Sequence, residues 1–505
     1  PWGVWGSLHL RKGPSRARIG PPWGVWGSLH LRKGPSRARS GPPWGVWGSL
    51  VSAKAATLGW AGIVRLGLVQ SALGAIVVLA TSTMNRVMVV EFALPAMLPG
   101  ALIGLHHVMQ LLRPRLGHGS DEGGRRTPWI VGGMAVLAVG GVLAALATAW
   151  MGTTRGPAIV LAIAAYTLIG IGAGAAGTTL LVLLAKRVDP RRRAAAATIV
   201  WMMMIAGFAV TAGVAGHALD PFSPERLVMV TAAVAFIAFL VSLGAVWGIE
   251  RDVDEAIEAP MRAAPKHSFR QALTQVWDEP HARRFAFFIF VSMLAYSGQD
   301  LILDPFAGTI FGMTPGESTR LAGLQNVGVL VGMIIVALVA SGIARGRSGS
   351  LAHWTIGGCL ASAVAGLGLA VAGFVGMSWP LRATVVALGI ANGAYAIAAI
   401  GSMMALVSSG RQSREGVRMG LWGAAQAIAF GFGGLLATAA VDLVGYATGS
   451  PVIAYATVFT VEAALFVVSA WLALDIERER VAGLAGRGSE TSESTAQMAA
   501  GVERA

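Results

Sequence analysis

From Arg65 onward the chain is a succession of apolar stretches, each long enough to cross a bilayer. A membrane span needs about 20 largely apolar residues. Twelve such stretches are legible, at 66–90, 93–112, 128–151, 157–185, 194–218, 226–249, 284–304, 320–344, 351–376, 381–408, 416–440 and 451–474. Only 13% of the 505 residues are charged against 55% hydrophobic, about half the charged fraction of a soluble domain. The expected fold class is therefore all-α, a polytopic membrane protein of twelve transmembrane helices. The longest polar stretch between spans, 250–283, divides them into two six-helix halves. The expected organisation is a basic arm over 1–64, a first half over 65–250, a linker over 251–283, a second half over 284–476 and a disordered tail over 477–505.

The formal net charge of +14 does not mark a nucleic-acid binder. Residues 1–65 hold ten Lys/Arg and no acid, so most of the excess sits in the arm. The arm is a tandem repeat: residues 1–21 recur as 22–42 with one difference, Ile19 against Ser40, and a third copy stops after Leu50. Solenoid repeats diverge around a shared core and number three or more. These copies are too few and too alike for that, and they read as duplicated upstream DNA, with Val51 as an alternative start. The competing reading is a Trp- and Arg-rich membrane-surface segment.

Charge also sets orientation. With the amino terminus in the cytoplasm, the cytoplasmic loops hold twenty Lys/Arg, whereas the opposite loops hold Arg155, Arg226, Arg320 and Arg382. Both termini are thus expected in the cytoplasm, on a bacterial inner membrane.

The loop between spans 2 and 3 carries Gly117, Asp121, Gly124, Arg125 and Arg126 in the run GHGSDEGGRRTP. This resembles the G-x-L-x-D-R-x-G-R-R loop of the major facilitator superfamily, with Gly119 and Glu122 departing from the pattern. Glycines permit a tight turn. Asp121 can cap a helix start and pair with an arginine, locking one arrangement of the halves. The second half echoes the first: Arg191-Arg192-Arg193 opens span 5 and Arg414-Glu415-Gly416 opens span 11, each before a Gly-rich helix. Parallel repeats suit this architecture. By contrast, Gly172-Ala-Gly174-Ala-Ala-Gly177 is a false dinucleotide signature, because it lies inside a span with no strand before it. No Walker A sequence occurs, so no nucleotide is expected, and the single cysteine, Cys359, excludes a Cys-based metal site.

Three longer stretches are more specific. RLGLVQSALGAIVVLATSTMNRVMVVEFALPAMLPG (65–100), GSDEGGRRTPWI (119–130) and SGQDLILDPFAGTIFGMTPGESTRLAGLQ (297–325) resemble the PucC family of phototrophic bacteria, which includes relatives labelled bacteriochlorophyll synthase chain. The resemblance covers about 65–476. It implies a facilitator-type fold used in assembling light-harvesting complexes. Bacteriochlorophyll a would be the cargo, and antenna polypeptides and bacteriochlorophyll synthase would be partners in the lipid bilayer; an oligomer is compatible with it. Catalysis is not expected. Prenyl transfer to a chlorophyllide relies on Asp-rich clusters that hold Mg²⁺ and diphosphate, and here Asp300 and Asp304 form the only close acidic pair in the spans.

A pigment needs an apolar slot and one axial ligand to its magnesium. His106 and His107 in span 2 are the leading candidates; adjacent helix positions point about 100° apart, so one of them at most suits a given slot. Gln70 and Asn85 in span 1 are further pigment candidates, and Gln325 and Asn326 in span 8 are polar candidates with inter-helix bonding as the competing role. Ser82, Asn85 and Arg86 fall on one face of span 1, where Arg86 either works inside the membrane or reaches the interface near Glu91. Gln299, Asp300 and Asp304 are read as one gating cluster, against the plainer reading that Asp304-Pro305 ends the helix. Glu462, midway along span 12, should face protein or water, or carry a proton. Three functions remain: antenna assembly with pigment handling, ion-coupled transport of a small solute or tetrapyrrole, and a scaffold for the synthase. Because the repeated arm precedes the family-like region, deletion of residues 1–50 should leave insertion and complementation of a null strain intact at equal protein level.

Overall fold

The computed structural model describes residues 58–112, 125–250, 277–340, 351–409 and 415–502. They form twelve helices in chain order: α1 Trp60–Glu91, α2 Met97–Met109, α3 Thr127–Trp150, α4 Arg155–Arg187, α5 Arg193–Ala218 and α6 Pro224–Val246 in the first half. The second half holds α7 Pro280–Phe311, α8 Pro315–Ala340, α9 Leu351–Val375, α10 Leu381–Ser409, α11 Glu415–Thr448 and α12 Pro451–Val502. Among the described residues, eleven helices are long and apolar enough to span a bilayer. The exception is α2, which with its last tight turn runs only from Met97 to Leu112.

Helix ends follow local chemistry. Gly312 takes a left-handed φ of 62° and stops α7, a conformation that costs glycine little. Two residues later Thr314 and Glu317 form a reciprocal capping box: the Glu317 amide donates to Thr314 Oγ1 at 3.1 Å and the Thr314 amide to Glu317 Oε2 at 3.0 Å. The two devices make the α7–α8 turn short and fixed. At α6, Ser223 caps the Arg226 amide ahead of Pro224.

Two features depart from the sequence expectation. The Asp304-Pro305 step does not end α7, which runs on to Phe311 with Pro305 inside it. The segment beyond Glu477, expected to be disordered, continues α12 as helix to Val502; its Ala, Glu, Arg and Gln content favours helix despite four glycines. The arm and the linker lie outside the described residues.

The helix pairings show an internal repeat. In the first half α1 packs on α5 and α6, α3 on α4 and α6, and α2 on α4. In the second, α7 packs on α11 and α12, α9 on α10 and α12, and α8 on α10. Each pairing recurs six helices later, and the halves meet reciprocally through α2–α11 and α5–α8. Lipid tails give helices no hydrophobic reason to associate, so close packing does that work through small residues. On the α8–α10 seam, a Cβ at Gly332 would stand 2.1 Å from the Ile390 carbonyl oxygen, and one at Gly393 would stand 2.0 Å from that of Val329. Gly332→Ala should therefore destabilise by about 1–3 kcal/mol. Gly132→Ala, which meets nothing within 4 Å, should leave the thermal midpoint unchanged or raised; melting both variants in nanodiscs checks the contrast.

Candidate functional site

The polar residues of α1 are where the halves are joined. Ordinary α-helix gives way to wider π-type turns at Leu79–Thr83 and Val87–Glu91. Such widening leaves backbone groups for outside partners, and Tyr166 Oη of α4 donates to the Ala80 carbonyl at 2.9 Å. Between the two wide turns, Asn85 is 0% exposed and Arg86 2%. Asn85 Nδ2 donates to the Leu301 carbonyl of α7 at 2.6 Å. That carbonyl needs an outside donor, because its helical partner four residues on is Pro305, which has no N–H. One polar side chain of the first half thus repairs the break that proline makes in the second.

Arg86 is buried where the two halves meet. Its Nη1 pairs with the Glu91 carboxylate and its Nη2 donates to the Met313 carbonyl at the α7–α8 turn. The guanidinium lies over Gly308, where a Cβ would stand 2.9 Å from Nε. Asp304 of α7, 2% exposed, sits beside Ser82 and Arg86.

Further contacts tie the halves together at this same end. Thr83 Oγ1 and Thr319 Oγ1 are 2.9 Å apart. Asp220 pairs with Arg320 at 3.1 Å and accepts from Thr314 Oγ1 at 3.0 Å. Asp442 of α11 accepts from the Ala96 and Met97 amides at 2.9 and 2.7 Å, capping α2. Asp220, Arg320 and Asp442 escaped the sequence reading because each looks like an ordinary helix-end residue; only the fold shows that its partner belongs to the other half.

The proposed gating cluster on α7 is split. Gln299 turns into the second half, where its Oε1 accepts from Asn392 Nδ2 at 3.0 Å while Ser362 Oγ donates to Asn392 Oδ1 at 2.7 Å. Asp304 instead faces α1, and Asp300 is half-buried one turn earlier. Gln325 is buried in α8, and Asn326 Nδ2 bonds locally to the Ala322 carbonyl. Glu462 is 3% exposed in the second half.

The four pigment candidates are not gathered at one place. Gln70 lies on the α1–α5 seam, with Nε2 3.2 Å from Met204 Sδ, and Asn85 is engaged with Leu301. His106 and His107 sit on α2, their rings edge-on with centroids 4.8 Å apart. His106 is buried, its Nε2 2.9 Å from Gln110 Nε2. His107, bonded through Nδ1 to the Ile103 carbonyl, stacks on Phe430 of α11 with centroids 5.4 Å apart. His107 thus presents its ring to Phe430 of the other half.

Of the loop 2–3 motif, Gly117, Asp121 and Gly124 lie outside the described residues. Arg125 is exposed and Arg126 buried. The carboxylate at the start of α3 comes from Glu250, beyond α6: it accepts from the Arg126 amide at 3.0 Å and from the Thr127 amide at 2.8 Å. Among the described residues, no group of three or more His, Cys, Asp or Glu is placed to hold a metal ion.

The family model described as PUCC protein matches residues 83–481. A Rhodobacter capsulatus protein named bacteriochlorophyll synthase 44.5 kDa chain is 51% identical over 424 residues, covering 84% of this chain and 97% of its own. A protein named PucC from the same organism is 26% identical, covering 81% and 90%. Among solved structures, a bacterial homolog of the human lysosomal transporter Spinster, inward-facing and unoccupied, matches with a TM-score of 0.59 at 16% identity, covering 83% of this chain and 96% of that one. The nucleoside transporter NupG matches with a TM-score of 0.58 at 14% identity, covering 82% and 99%. The fold is that of major facilitator transporters.

The Asn85 bond has a specific test. Asn85→Ala leaves the Leu301 carbonyl unpaired and should cost about 1–3 kcal/mol. Pro305→Ala restores an N–H to that carbonyl, so the double variant should lose less than the two single losses added. A double-mutant cycle on thermal midpoints reads the coupling; strict additivity would separate the two residues.

Proposed function

The chain belongs to the PucC family, and on that premise we propose that it is a membrane assembly factor for bacterial light-harvesting antenna complexes, receiving or delivering bacteriochlorophyll. The observation that carries this reading is the seam between halves at α2–α11, where the His107 ring stacks on Phe430 in a fold otherwise used by transporters. A bulky macrocycle requires apolar walls and a single nitrogen to reach its metal, and His107 offers an imidazole at that seam, with His106 beside it. The names of the relatives, PucC and a bacteriochlorophyll synthase chain, support a role in pigment or antenna processes.

In this proposal the chain is not itself the synthase. A diphosphate–magnesium site needs clustered oxygen ligands open to substrate. Asp304 instead lies closed in beside Ser82 and Arg86, and Gln299 faces away from it. Antenna polypeptides and the pigment synthase are the expected partners, and the positive-inside bias places both termini in the cytoplasm. The buried acids Asp304 and Glu462 favour ion-coupled transport as the second reading.

A deletion strain should still make bacteriochlorophyll but assemble less antenna, as judged from pigment extracts and membrane absorption spectra. Replacing both histidines with leucine should reduce the pigment that copurifies with the chain and the antenna it supports. Loss of bacteriochlorophyll itself from the pigment extracts of the deletion strain would overturn the proposal in favour of synthase activity.

A further inference from the structure

Glu462 lies midway along the apolar part of α12, and neither of its carboxyl oxygens has a hydrogen-bond partner. The carboxyl presses on Gly298 of α7: a Cβ there would stand 2.3 Å from Oε1 and 3.0 Å from Ala437 Cβ of α11. Absence of a side chain at 298 is what makes room for the acid. Next to it, Gln299 Nε2 is also buried without a partner, while Gln299 Oε1 is taken by Asn392. Gln299 Nε2 and Ala463 Cβ flank the same glycine, Gly366 of α9, so the orphan amide and the orphan acid belong to one layer of the core.

The neighbours supply no counter-charge. Of the titratable side chains around this layer, α7 contributes Tyr296 and Asp300, its Asp304 being turned to Ser82 and Arg86 of α1, α9 contributes Cys359, and α10 contributes Tyr395. The stretch of α11 from Phe430 to Val441 has none, and α12 itself adds only Tyr455 two turns away. An isolated carboxylate in such a place costs more than any single contact returns. A proton on the carboxyl removes that cost.

We propose that Glu462 is a proton-binding site, holding its carboxyl as the neutral acid while α7, α9, α11 and α12 are packed together and losing the proton to water only when they part. The O–H bond then breaks to leave a carboxylate on Glu462 and a hydronium in the water that enters; repacking reverses the step. The site is tied to the halves' arrangement through α11. Ser297 Oγ, adjacent to Gly298, donates to the Phe430 carbonyl at 2.9 Å, and the Phe430 ring is the one on which His107 of α2 stacks. Movement of α11 away from α2 therefore loosens the wall against which the acid is buried.

Infrared spectroscopy of the full chain in nanodiscs, made with ¹³C-carboxyl glutamate, tests this directly, because the isotope separates Glu462 from Asp300 and Asp304. A neutral-acid carbonyl band of glutamate at neutral pH is expected, absent in Glu462→Gln, with its shift in D₂O slower than that of exposed carboxyls at acid pH by about tenfold or more. Raising pH should lower the thermal midpoint of the parent relative to Glu462→Gln, which has no proton to lose. Should the glutamine variant fail to fold, the parent's isotope-edited band and its exchange rate still decide. Glutamate bands of carboxylate type only would overturn the proposal and leave an ionised acid hydrated by buried water; a prompt D₂O shift would overturn it by showing the acid open to water while the helices are packed.

Discussion

The Leu301 carbonyl sets the terms for this molecule. Inside a bilayer no water is at hand for an unmade backbone hydrogen bond, and Pro305 removes the N–H that this carbonyl would use in an unbroken helix. The chain satisfies it from the other half, with Asn85 of α1. That choice places an amide, and next to it a guanidinium, deep in the contact between halves. It also obliges α1 and α7 to stay in register at one height. Arg86 follows from the same geometry, because its carbonyl partner Met313 lies at the end of the helix that Asn85 grips.

Much of the architecture was legible because the bilayer enforces it. Length and apolarity located the helices, and the polar stretch after Glu250 divided the halves. The polar face of Ser82, Asn85 and Arg86 was visible as a spacing, and all three side chains are buried. What stayed hidden was the identity of each partner. Asp304 before Pro305 reads as a helix end in any one-dimensional pattern, yet the helix continues, since Asn85 removes the penalty that would stop it. Gln299 and Asp304 look like one cluster five residues apart, yet they leave α7 on different sides, one toward Asn392 and the other toward α1. At the start of α3, Glu250 reaches the Thr127 amide across 123 residues of sequence, a partnership that no local pattern signals.

The interface between halves has two kinds of adhesive. Near Glu91 it is polar and charged: Arg86 with Glu91 and Met313, Asp220 with Arg320, Asp442 with the first amides of α2. Directional bonds of this kind break or form as discrete units, which suits a junction with two states. Farther along the α2–α11 seam it becomes small and aromatic. A Cβ at Gly104 would stand 3.0 Å from the Gly431 carbonyl oxygen, and His107 lies flat on Phe430. Contacts of this second kind carry no fixed register and can be exchanged for the face of a flat apolar guest at little cost.

That division constrains how any cargo can be handled. If the halves pivot about the charged end, the largest displacement falls on the seam farthest from it, and α11 is the element that spans both. It is anchored to α2 by Asp442 at one end and stacked against His107 farther along. Opening the stack while the cap holds would tilt α11 rather than translate it. The tilt is felt inside the second half as well, since α11 is bonded to α7 through Ser297 and is packed beside Gly298 and the buried acid. A guest at the histidine seam and a proton inside the second half would thus act on the same helix, and each would change how readily the other is bound.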